Sequence, residues 1–285
     1  MLGWPCISKI TVAIFAIIAL SGAAPMANGN PPATADPSAS KLEPSKKTLT
    51  PSDRRILADT RQPLLAAVGR LQAALICTAA LVLHPRIVLT AAHCVIDPDS
   101  GAVDSVVFFQ PGYRAMTNRS PFSGEVWDLG SPRQYGRQTA YDAANDWAII
   151  VLDHAPGDAR PLNVLDLELA RTSLQQNVLL PAYSVDRGGG HLLRVDSACS
   201  IIDQFWGLLR HNCTAGHGAS GAPLLQRDGE WFAIIGIESS SVIVPGGGRV
   251  HGSAVNSRYF IDPLLAVHRK LTRNHGKPCV HYCRF

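Results

Sequence analysis

A histidine, an aspartate and a serine each stand in a local setting that suits a reactive side chain. The histidine, His93, lies in the segment Ile87–Cys94, where an apolar strand ends at Thr90 and two alanines let the chain turn tightly. Cys94 can then be tethered, and Cys77 in the preceding strand is its natural partner, because hairpin-connected strands bring two such residues into bonding range. A tethered imidazole of this kind can act as a general base.

The aspartate, Asp146, stands at the mouth of the apolar run Trp147–Leu152. A partly buried carboxylate needs a partner, and a hydrogen bond from the histidine ring would satisfy it and fix the tautomer that serves as base. Asp142 and Asp153 are rivals, but they lie in the polar approach to the run and at its far end. We therefore rank them below Asp146.

The serine, Ser220, has glycines close by on both sides in the segment Gly216–Leu225, just before a hydrophobic stretch. Glycines permit a strained turn that exposes the hydroxyl and points successive backbone N–H groups at one spot. The amides of Gly218 and Ser220 are therefore candidates for an oxyanion hole.

The three segments carry more weight together than apart. A glycine-flanked serine is more often a loop than a nucleophile, and most of the 10 histidines are expected to be solvated or core residues. The histidine segment is the most specific of the three. Together the segments fit one kind of chemistry, nucleophilic catalysis by the serine through a covalent intermediate, which needs no cofactor and no metal.

The elements that must position these residues read as short strands. From Leu57 onward, apolar runs alternate with clusters of Gly, Pro, Asn and Asp, a rhythm typical of an all-β domain. Near the end, Asp262 and Pro263 predict the start of a C-terminal helix that keeps helical spacing through Leu271 and stops before Gly276. The strongest strand candidates are residues 74–83, 86–90, 105–110, 147–152, 177–183 and 231–237.

The N-terminal fifth of the chain has a different character. Lys9, the apolar run Ile10–Leu20 and the small residues that follow predict a signal peptide over residues 1–27, cleaved after Ala23 or Ala27. An uncleaved anchor is disfavoured because the run is short for a membrane span. Residues 28–56 are rich in proline and polar residues and predict a flexible linker or pro-segment, which places the folded domain at 57–285.

Charge and cysteine content narrow the class of protein. A net charge of +4 is too mild to suggest a nucleic-acid partner. Loss of Cys6 with the leader leaves an even number of cysteines, which suits disulfides in an oxidising compartment, although the count alone does not fix their pairing. A zinc site is disfavoured because the CxxC pairs typical of one are missing. The remaining cysteines are Cys77, Cys94, Cys199, Cys213, Cys279 and Cys283.

The order His, Asp, Ser and the motifs around them resemble the trypsin/chymotrypsin superfamily of serine peptidases. The motifs are Thr-Ala-Ala-His-Cys, Asn-Asp-Trp-Ala and Gly-x-Ser-Gly-x-Pro, and the resemblance covers most of residues 57–260. Ser52-Asp-Arg-Arg, Ala-Val-Gly-Arg70 and Cys77-Thr further resemble the bacterial branch that includes the V8-like glutamyl endopeptidases.

The resemblance implies an all-β fold of two six-stranded antiparallel β-barrels with a C-terminal α-helix. The active site would lie in the cleft between the barrels, with His93 and Asp146 from the first, Ser220 from the second, and the border near residues 155–165. It also implies that Cys199 and Cys213 bracket a hairpin and hold the loop to Ser220, and that Cys279 and Cys283 close a small terminal ring.

Several positions depart from the family pattern. Ala219 replaces the aspartate that pairs with a new N-terminal amine in trypsin-like zymogens, so activation by that ion pair is not expected. Thr214 replaces the aspartate that selects lysine or arginine, and Glu238 stands where glutamyl endopeptidases have a histidine. Glu238 would either favour a basic residue from inside the pocket or be a solvated acid at a strand end.

Two further residues complete the predicted site. Ser239 would steady the triad aspartate, although Ser240 or Ser241 could take this role if the assignment is one step out. His217 stands beside the oxyanion hole, where it would touch substrate or simply be an exposed loop residue. We assign Thr214, His217, Glu238 and Ser239 to the substrate pocket.

The sequence thus predicts a secreted serine endopeptidase, extracellular or periplasmic. We expect a monomer that acts on proteins or peptides, binds no nucleic acid and has no stable membrane insertion after signal cleavage. A catalytically silent binding protein with the same fold is the alternative, and the intact His, Asp and Ser argue against it. An esterase of the α/β-hydrolase class is disfavoured because its catalytic residues run in the opposite order.

Overall fold

Short antiparallel strands form most of the computed structural model, which describes residues 53–115, 120–130, 143–157, 159–167, 177–243 and 249–273. The predicted signal peptide, most of the predicted linker, and Cys279 and Cys283 lie outside these residues. Strands and helices are numbered below in chain order.

The first half of the domain is a closed six-stranded barrel in the order β2-β3-β4-β7-β6-β5. Closure pairs every strand edge and surrounds a core of fully buried residues such as Leu81, Leu89 and Ile150. A short helix, α1 (Pro63–Ala66), precedes it. The strands are β2 (Val68–Gln72), β3 (Ile76–Leu81), β4 (Ile87–Thr90), β5 (Val107–Pro111), β6 (Phe122–Leu129) and β7 (Ala148–Leu152).

The second half is a nine-stranded sheet whose main path runs β1-β10-β9-β13-β14-β15-β12-β11, with β8 added to β14 in parallel. Its own core includes Leu180, Leu224 and Ile235. The strands are β1 (Ile56–Leu57), β8 (Asn163–Val164), β9 (Val178–Ala182), β10 (Arg194–Cys199), β11 (Ile201–Phe205), β12 (Leu208–His211), β13 (Pro223–Asp228), β14 (Trp231–Ile243) and β15 (Arg249–Asn256).

The predicted chymotrypsin-like fold is confirmed, with one difference in the second half. That half is a nine-stranded half-barrel sheet with ends at β1 and β11, whereas the resemblance implies a second six-stranded barrel. The chain crosses from the first barrel to this sheet between Leu152 and Asn163. The predicted border, near residues 155–165, begins inside this crossover and ends just after β8.

Strand β1 begins one residue before the predicted start of the domain, Leu57. Ile56 pairs with Val195 and Leu57 with Arg194, so Ile56 belongs to the folded sheet and not to the linker predicted to end there. This strand could not be predicted from the sequence, because it is only two residues long and both side chains are exposed.

The C-terminal helix α2 (Ile261–Arg273) starts one residue before the predicted Asp262. Leu264, Val267 and Leu271 recur at helical spacing, and all three are buried in a cluster that also contains Ile237 and Val255 of the second sheet. In the described ranges, no helix has the length and apolar character required to traverse a membrane.

Candidate active site

His93 and Asp146 meet because their strands are neighbours. His93 lies in a short 3-10 turn (Ala92–Cys94) directly after β4, and Asp146 lies just before β7, which pairs with β4. Asp146 Oδ2 is 2.7 Å from His93 Nδ1, and Asp146 Oδ1 accepts a hydrogen bond of 2.9 Å from the backbone N–H of His93. The carboxylate therefore fixes both the ring and the backbone of the histidine.

A third hydrogen bond to Asp146 comes from the other half of the domain. Ser239, in β14, donates from Oγ to Asp146 Oδ2 at 2.5 Å. The structure therefore gives this contact to Ser239, the first of the three candidate serines.

Burial makes the His93–Asp146 pair electrostatically strong. Asp146 is only 3% exposed and His93 is buried beside it. Burial by itself would lower the pKa of His93, but the charge of Asp146 and the hydrogen bond to it prevail and raise that pKa above 6.5. Burial likewise opposes ionisation of Asp146, yet His93 and the hydrogen bond from Ser239 hold the pKa of this carboxyl below its usual value.

The segment that carries Ser220 is tied to His93 through a disulfide. Cys77 and Cys94 are bonded, with their Cα atoms 6.1 Å apart, as predicted. Thr78, next to Cys77, donates its backbone N–H to the carbonyl oxygen of Ser220 at 2.9 Å. Since His93 precedes Cys94 directly, one covalent bridge holds both the histidine and the partner of the Ser220 backbone.

The side chain of Thr78 gives the Ser220 turn a second support. Thr78 Oγ1 donates to the carbonyl oxygen of Gly218 at 2.8 Å and accepts from the backbone N–H of Tyr183 at 2.9 Å, in buried surroundings. Sequence reasoning missed Thr78, because nothing but its place after Cys77 distinguishes it from other strand threonines.

Two glycines allow the turn its shape. Gly218 and Gly221 have φ values of +88° and +76°, in the left-handed region that favours glycine. Between them, Ser220 is partly exposed while Ala219 is buried. The tight turn therefore leaves the serine side chain at the surface of a well-packed segment.

We expect Gly221→Ala to destabilise the fold by roughly 1–3 kcal/mol or more. A Cβ at this position would lie 2.1 Å from Thr90 Oγ1 and 2.3 Å from the carbonyl oxygen of Thr78, so backbone would have to move. Urea denaturation measures the change in free energy of unfolding. Gly101→Ala is the matched control, because Gly101 has a similar φ of +71° but no atom within 4 Å of the added Cβ. Equal losses in the two variants would contradict the role of packing around the turn.

The structure places two of the remaining predicted pocket residues near this turn. Thr214 is partly buried, and its backbone N–H donates to Asp196 Oδ2 at 2.7 Å. His217 is exposed, and its carbonyl oxygen accepts from the backbone N–H of Val185 at 2.6 Å.

Glu238 is not the solvated strand-end acid that the sequence also allowed. It is 3% exposed, and its Oε2 lies 2.6 Å from Nε2 of His211, a fully buried residue of β12. The backbone N–H of Cys213 approaches His211 Nδ1 at 3.2 Å, so Nδ1 accepts and Nε2 carries the proton donated to Glu238. Sequence reasoning missed His211, which is 27 residues away from its partner.

Neither disulfide leaves a thiolate for metal binding. Cys199 and Cys213 are bonded at a Cα separation of 4.7 Å and bracket the β11–β12 hairpin, as predicted. Among the residues that the structure describes, the group with metal-ligand geometry is Cys77, His93 and Cys94, but both of its sulfur atoms form the disulfide. The group therefore lacks the thiolate ligands that such a site requires.

Comparison with known proteins supplies a family and a fold. The family model described as "Trypsin-like peptidase domain" matches residues 77–234. No curated protein matches the chain. A Glu endopeptidase solved in complex with MPD is similar at a TM-score of 0.57 and 21% identity, over 76% of this chain and 98% of that one. The protease Anisep from Arthrobacter nicotinovorans is similar at a TM-score of 0.51 and 15% identity, over 68% and 91%.

Proposed function

The chain belongs to the family of trypsin-like peptidase domains, and from this premise we propose that it is a serine endopeptidase with Ser220 as nucleophile, His93 as general base and Asp146 as orienting carboxylate. The observation that carries the proposal is the buried Asp146, which binds the ring and backbone of His93 and accepts from Ser239. This is the arrangement that a catalytic aspartate needs to hold an imidazole in one tautomer.

In the proposed reaction, the Ser220 hydroxyl attacks the carbonyl carbon of the scissile peptide bond. His93 Nε2 takes the hydroxyl proton, while Nδ1–H stays hydrogen-bonded to Asp146. When the tetrahedral intermediate collapses, the C–N bond breaks and His93 returns the proton to the leaving amine, leaving an ester on Ser220. A water molecule, deprotonated by His93, then hydrolyses the ester and regenerates the serine.

The negative charge of the tetrahedral intermediate needs donors that are already in place. We assign this role to the backbone N–H groups of Gly218 and Ser220. The positive φ of Gly218 supports the assignment, as does its close packing, since a Cβ there would lie 2.5 Å from the carbonyl oxygen of Tyr183. Such fixed donors are worth several kcal/mol in the transition state, about 3–4 for one of them.

Thr214, His217 and Glu238 form the proposed substrate pocket, together with Ser239, which donates a hydrogen bond to Asp146. Thr214 offers no charge to a basic substrate side chain. Glu238 carries a carboxylate, but its partner His211 already shares it at 2.6 Å. The specificity of the pocket therefore depends on the Glu238–His211 pair as a unit and not on a lone acid.

We further propose that the mature protein is a secreted monomer that acts on proteins or peptides without a cofactor. The two disulfides support an oxidising compartment. The predicted leader over residues 1–27 supports export, and the mild net charge gives no reason to expect a nucleic-acid partner.

The raised pKa of His93 leads to a prediction about pH. His93 must be neutral to accept the proton of Ser220, so activity is lost as pH falls through its pKa. We expect the acid limb of a plot of kcat/KM against pH to have its midpoint above 6.5. Kinetics with a peptide ester between pH 4 and 10 measure this midpoint, and circular dichroism over the same range excludes unfolding as the cause. A midpoint at or below 6.5 would contradict the predicted coupling to Asp146.

The proposed function is tested by labelling the purified mature protein with a fluorophosphonate and locating the modified residue by mass spectrometry. We expect label on Ser220 and loss of labelling in Ser220→Ala and in His93→Ala. A folded, disulfide-bonded protein that takes no label and cleaves no casein would instead indicate a silent binding protein with the protease fold.

A further inference from the structure

Two adjacent arginines at the start of the described chain bind aspartates that contact the segment before Ser220. Arg55 has a side chain only 5% exposed, and its guanidinium holds Asp186 with two hydrogen bonds of 2.9 and 2.6 Å. The same guanidinium binds both oxygens of Asp53, at 2.9 and 3.0 Å, and Asp53 in turn accepts from Arg187 at 2.6 Å. Arg55 is therefore the centre of an ion-pair network that also contains Asp53, Asp186 and Arg187.

Arg54 forms a second, separate set of contacts. Its Nη2 donates to Asp196 Oδ2 at 3.0 Å and to the carbonyl oxygen of Asn212 at 2.7 Å. The side chain of Asp196 is fully buried and is not solvated by water, so Arg54 supplies the positive charge that balances its carboxylate. We call residues Asp53–Arg55 the N-terminal clamp.

Both acidic partners of the clamp contact residues 214–217. The carboxylate of Asp186 packs against Gly216, since a Cβ added there would lie 2.2 Å from Asp186 Oδ1. Its neighbour Val185 donates its backbone N–H to the carbonyl oxygen of His217. Asp196 Oδ2, the atom bound by Arg54, also accepts the backbone N–H of Thr214 at 2.7 Å. A single aspartate therefore lies between each arginine and this segment.

Residues 214–217 lead directly into the proposed oxyanion hole. Ala219 donates its backbone N–H to the carbonyl oxygen of Gly216 at 3.0 Å, which closes the turn around Gly218. A segment with two glycines loses much conformational freedom when it is ordered. Ala219 offers no carboxylate through which the turn could be fixed, so external contacts must hold it.

We propose that Arg54 and Arg55 are positioning residues that hold residues 214–218 in the conformation required for catalysis, acting through Asp196 and Asp186. The inference rests on the proposed function and extends it. In trypsin-like zymogens, an aspartate directly before the serine pairs with a new N-terminal amine. The clamp would replace that ion pair here, where the position is Ala219. It also requires that maturation leave residues 53–55 on the chain.

The charge state of the clamp agrees with this role. Hydrogen bonding to Arg55 lowers the pKa of Asp186. Burial opposes ionisation of Asp196, but the N–H of Thr214 and the guanidinium of Arg54 lower its pKa. Both carboxylates are therefore ionised, and their arginines paired, at neutral pH.

The test compares Arg54→Gln and Arg55→Gln with Arg61→Gln in the full mature protein. Arg61 is the matched control because it also pairs with an aspartate, Asp59, but its side chain is 81% exposed. We measure kcat and KM on a peptide ester and the rate of fluorophosphonate labelling, at a temperature where near-UV circular dichroism shows each variant fully folded.

We expect kcat to fall roughly 10- to 100-fold in Arg54→Gln and Arg55→Gln, with a parallel fall in labelling rate, because a displacement of about 1 Å at the reacting centre has such effects. Arg61→Gln is expected to stay within about twofold of the parent. Arg55→Lys keeps the charge but loses the two-pronged contact, so it should recover only part of the rate. If Arg55→Gln does not fold, the more exposed Arg54→Gln decides the question.

Variants that unfold at lower temperature but keep parental kcat and labelling rate when folded would overturn the inference and leave the arginines a purely structural role. Failure of the proposed function gives a different result. In that case the parent protein itself takes no label at Ser220, whatever stands at positions 54 and 55.

Discussion

Replacing Ser220 by alanine is expected to lower kcat for peptide hydrolysis by roughly 10^6-fold. The substitution removes the only oxygen assigned to attack the substrate, and His93, the proposed base, then has no hydroxyl proton to accept. The residual rate would come from the oxyanion hole and from substrate binding, which a missing hydroxyl leaves in place. Initial rates on a chromogenic peptide amide, with active sites of the parent counted by titration, measure the loss.

The fold should tolerate this change. The contact that fixes Ser220 uses its carbonyl oxygen, which accepts from Thr78, and alanine retains it. We therefore expect the free energy of unfolding to stay within about 0.5 kcal/mol of the parent. His93→Ala added to Ser220→Ala should cost little more, since the two residues act as one unit. A Ser220→Ala protein with a tenth of the parental kcat would exclude Ser220 as the nucleophile.

Asp146→Asn is expected to lower kcat by about 10^4-fold. The carboxylate accepts three hydrogen bonds, from the ring of His93, from its backbone N–H and from Ser239. An amide has only one acceptor oxygen, so its NH2 group must face one of these donors or turn His93 into the tautomer that cannot take a proton at Nε2. Loss of the negative charge also removes the attraction that raises the pKa of His93.

Asp153→Asn provides the matched control for this prediction. Asp153 follows the far end of the same strand, β7, but it is exposed, and its Oδ2 binds Ser123 of the first barrel. Its substitution should leave kcat within about twofold of the parent. The two variants together separate the role of Asp146 from a general effect of charge on this strand, and equal kcat values for both would remove Asp146 from the mechanism.

The local sequence carries enough information for His93, Asp146 and Ser220 because each stands next to the element that positions it. The apolar runs before His93 and after Asp146 are strands β4 and β7, and their pairing follows from the barrel. The glycines around Ser220 indicate the turn directly. Strand type, the helix and the Cys77–Cys94 disulfide follow in the same way from local patterns, whereas the Cys199–Cys213 disulfide is implied only by the family resemblance.

The supports of the site could not be predicted because they are contacts between distant parts of the chain. Arg54 and Asp196 are 142 residues apart, and Thr78 and Gly218 are 140 apart. No periodicity or motif links such pairs, since their meeting depends on how the two halves pack. Glu238 illustrates the same limit, because only the position of His211 decides between a free pocket acid and a paired one.

The hydrogen bond from Ser239 to Asp146 joins the second sheet to the first barrel, so the proposed site is complete only when both halves have folded. In a chain of which only one half has folded, either His93 and Asp146 or Ser220 and Ser239 are not yet in position. If Ser220 is the nucleophile, as proposed, such an intermediate would not hydrolyse the unfolded segments around it. Hydrolytic power would arise only at the last step of folding, when the two halves dock and the chain is itself no longer easy to digest.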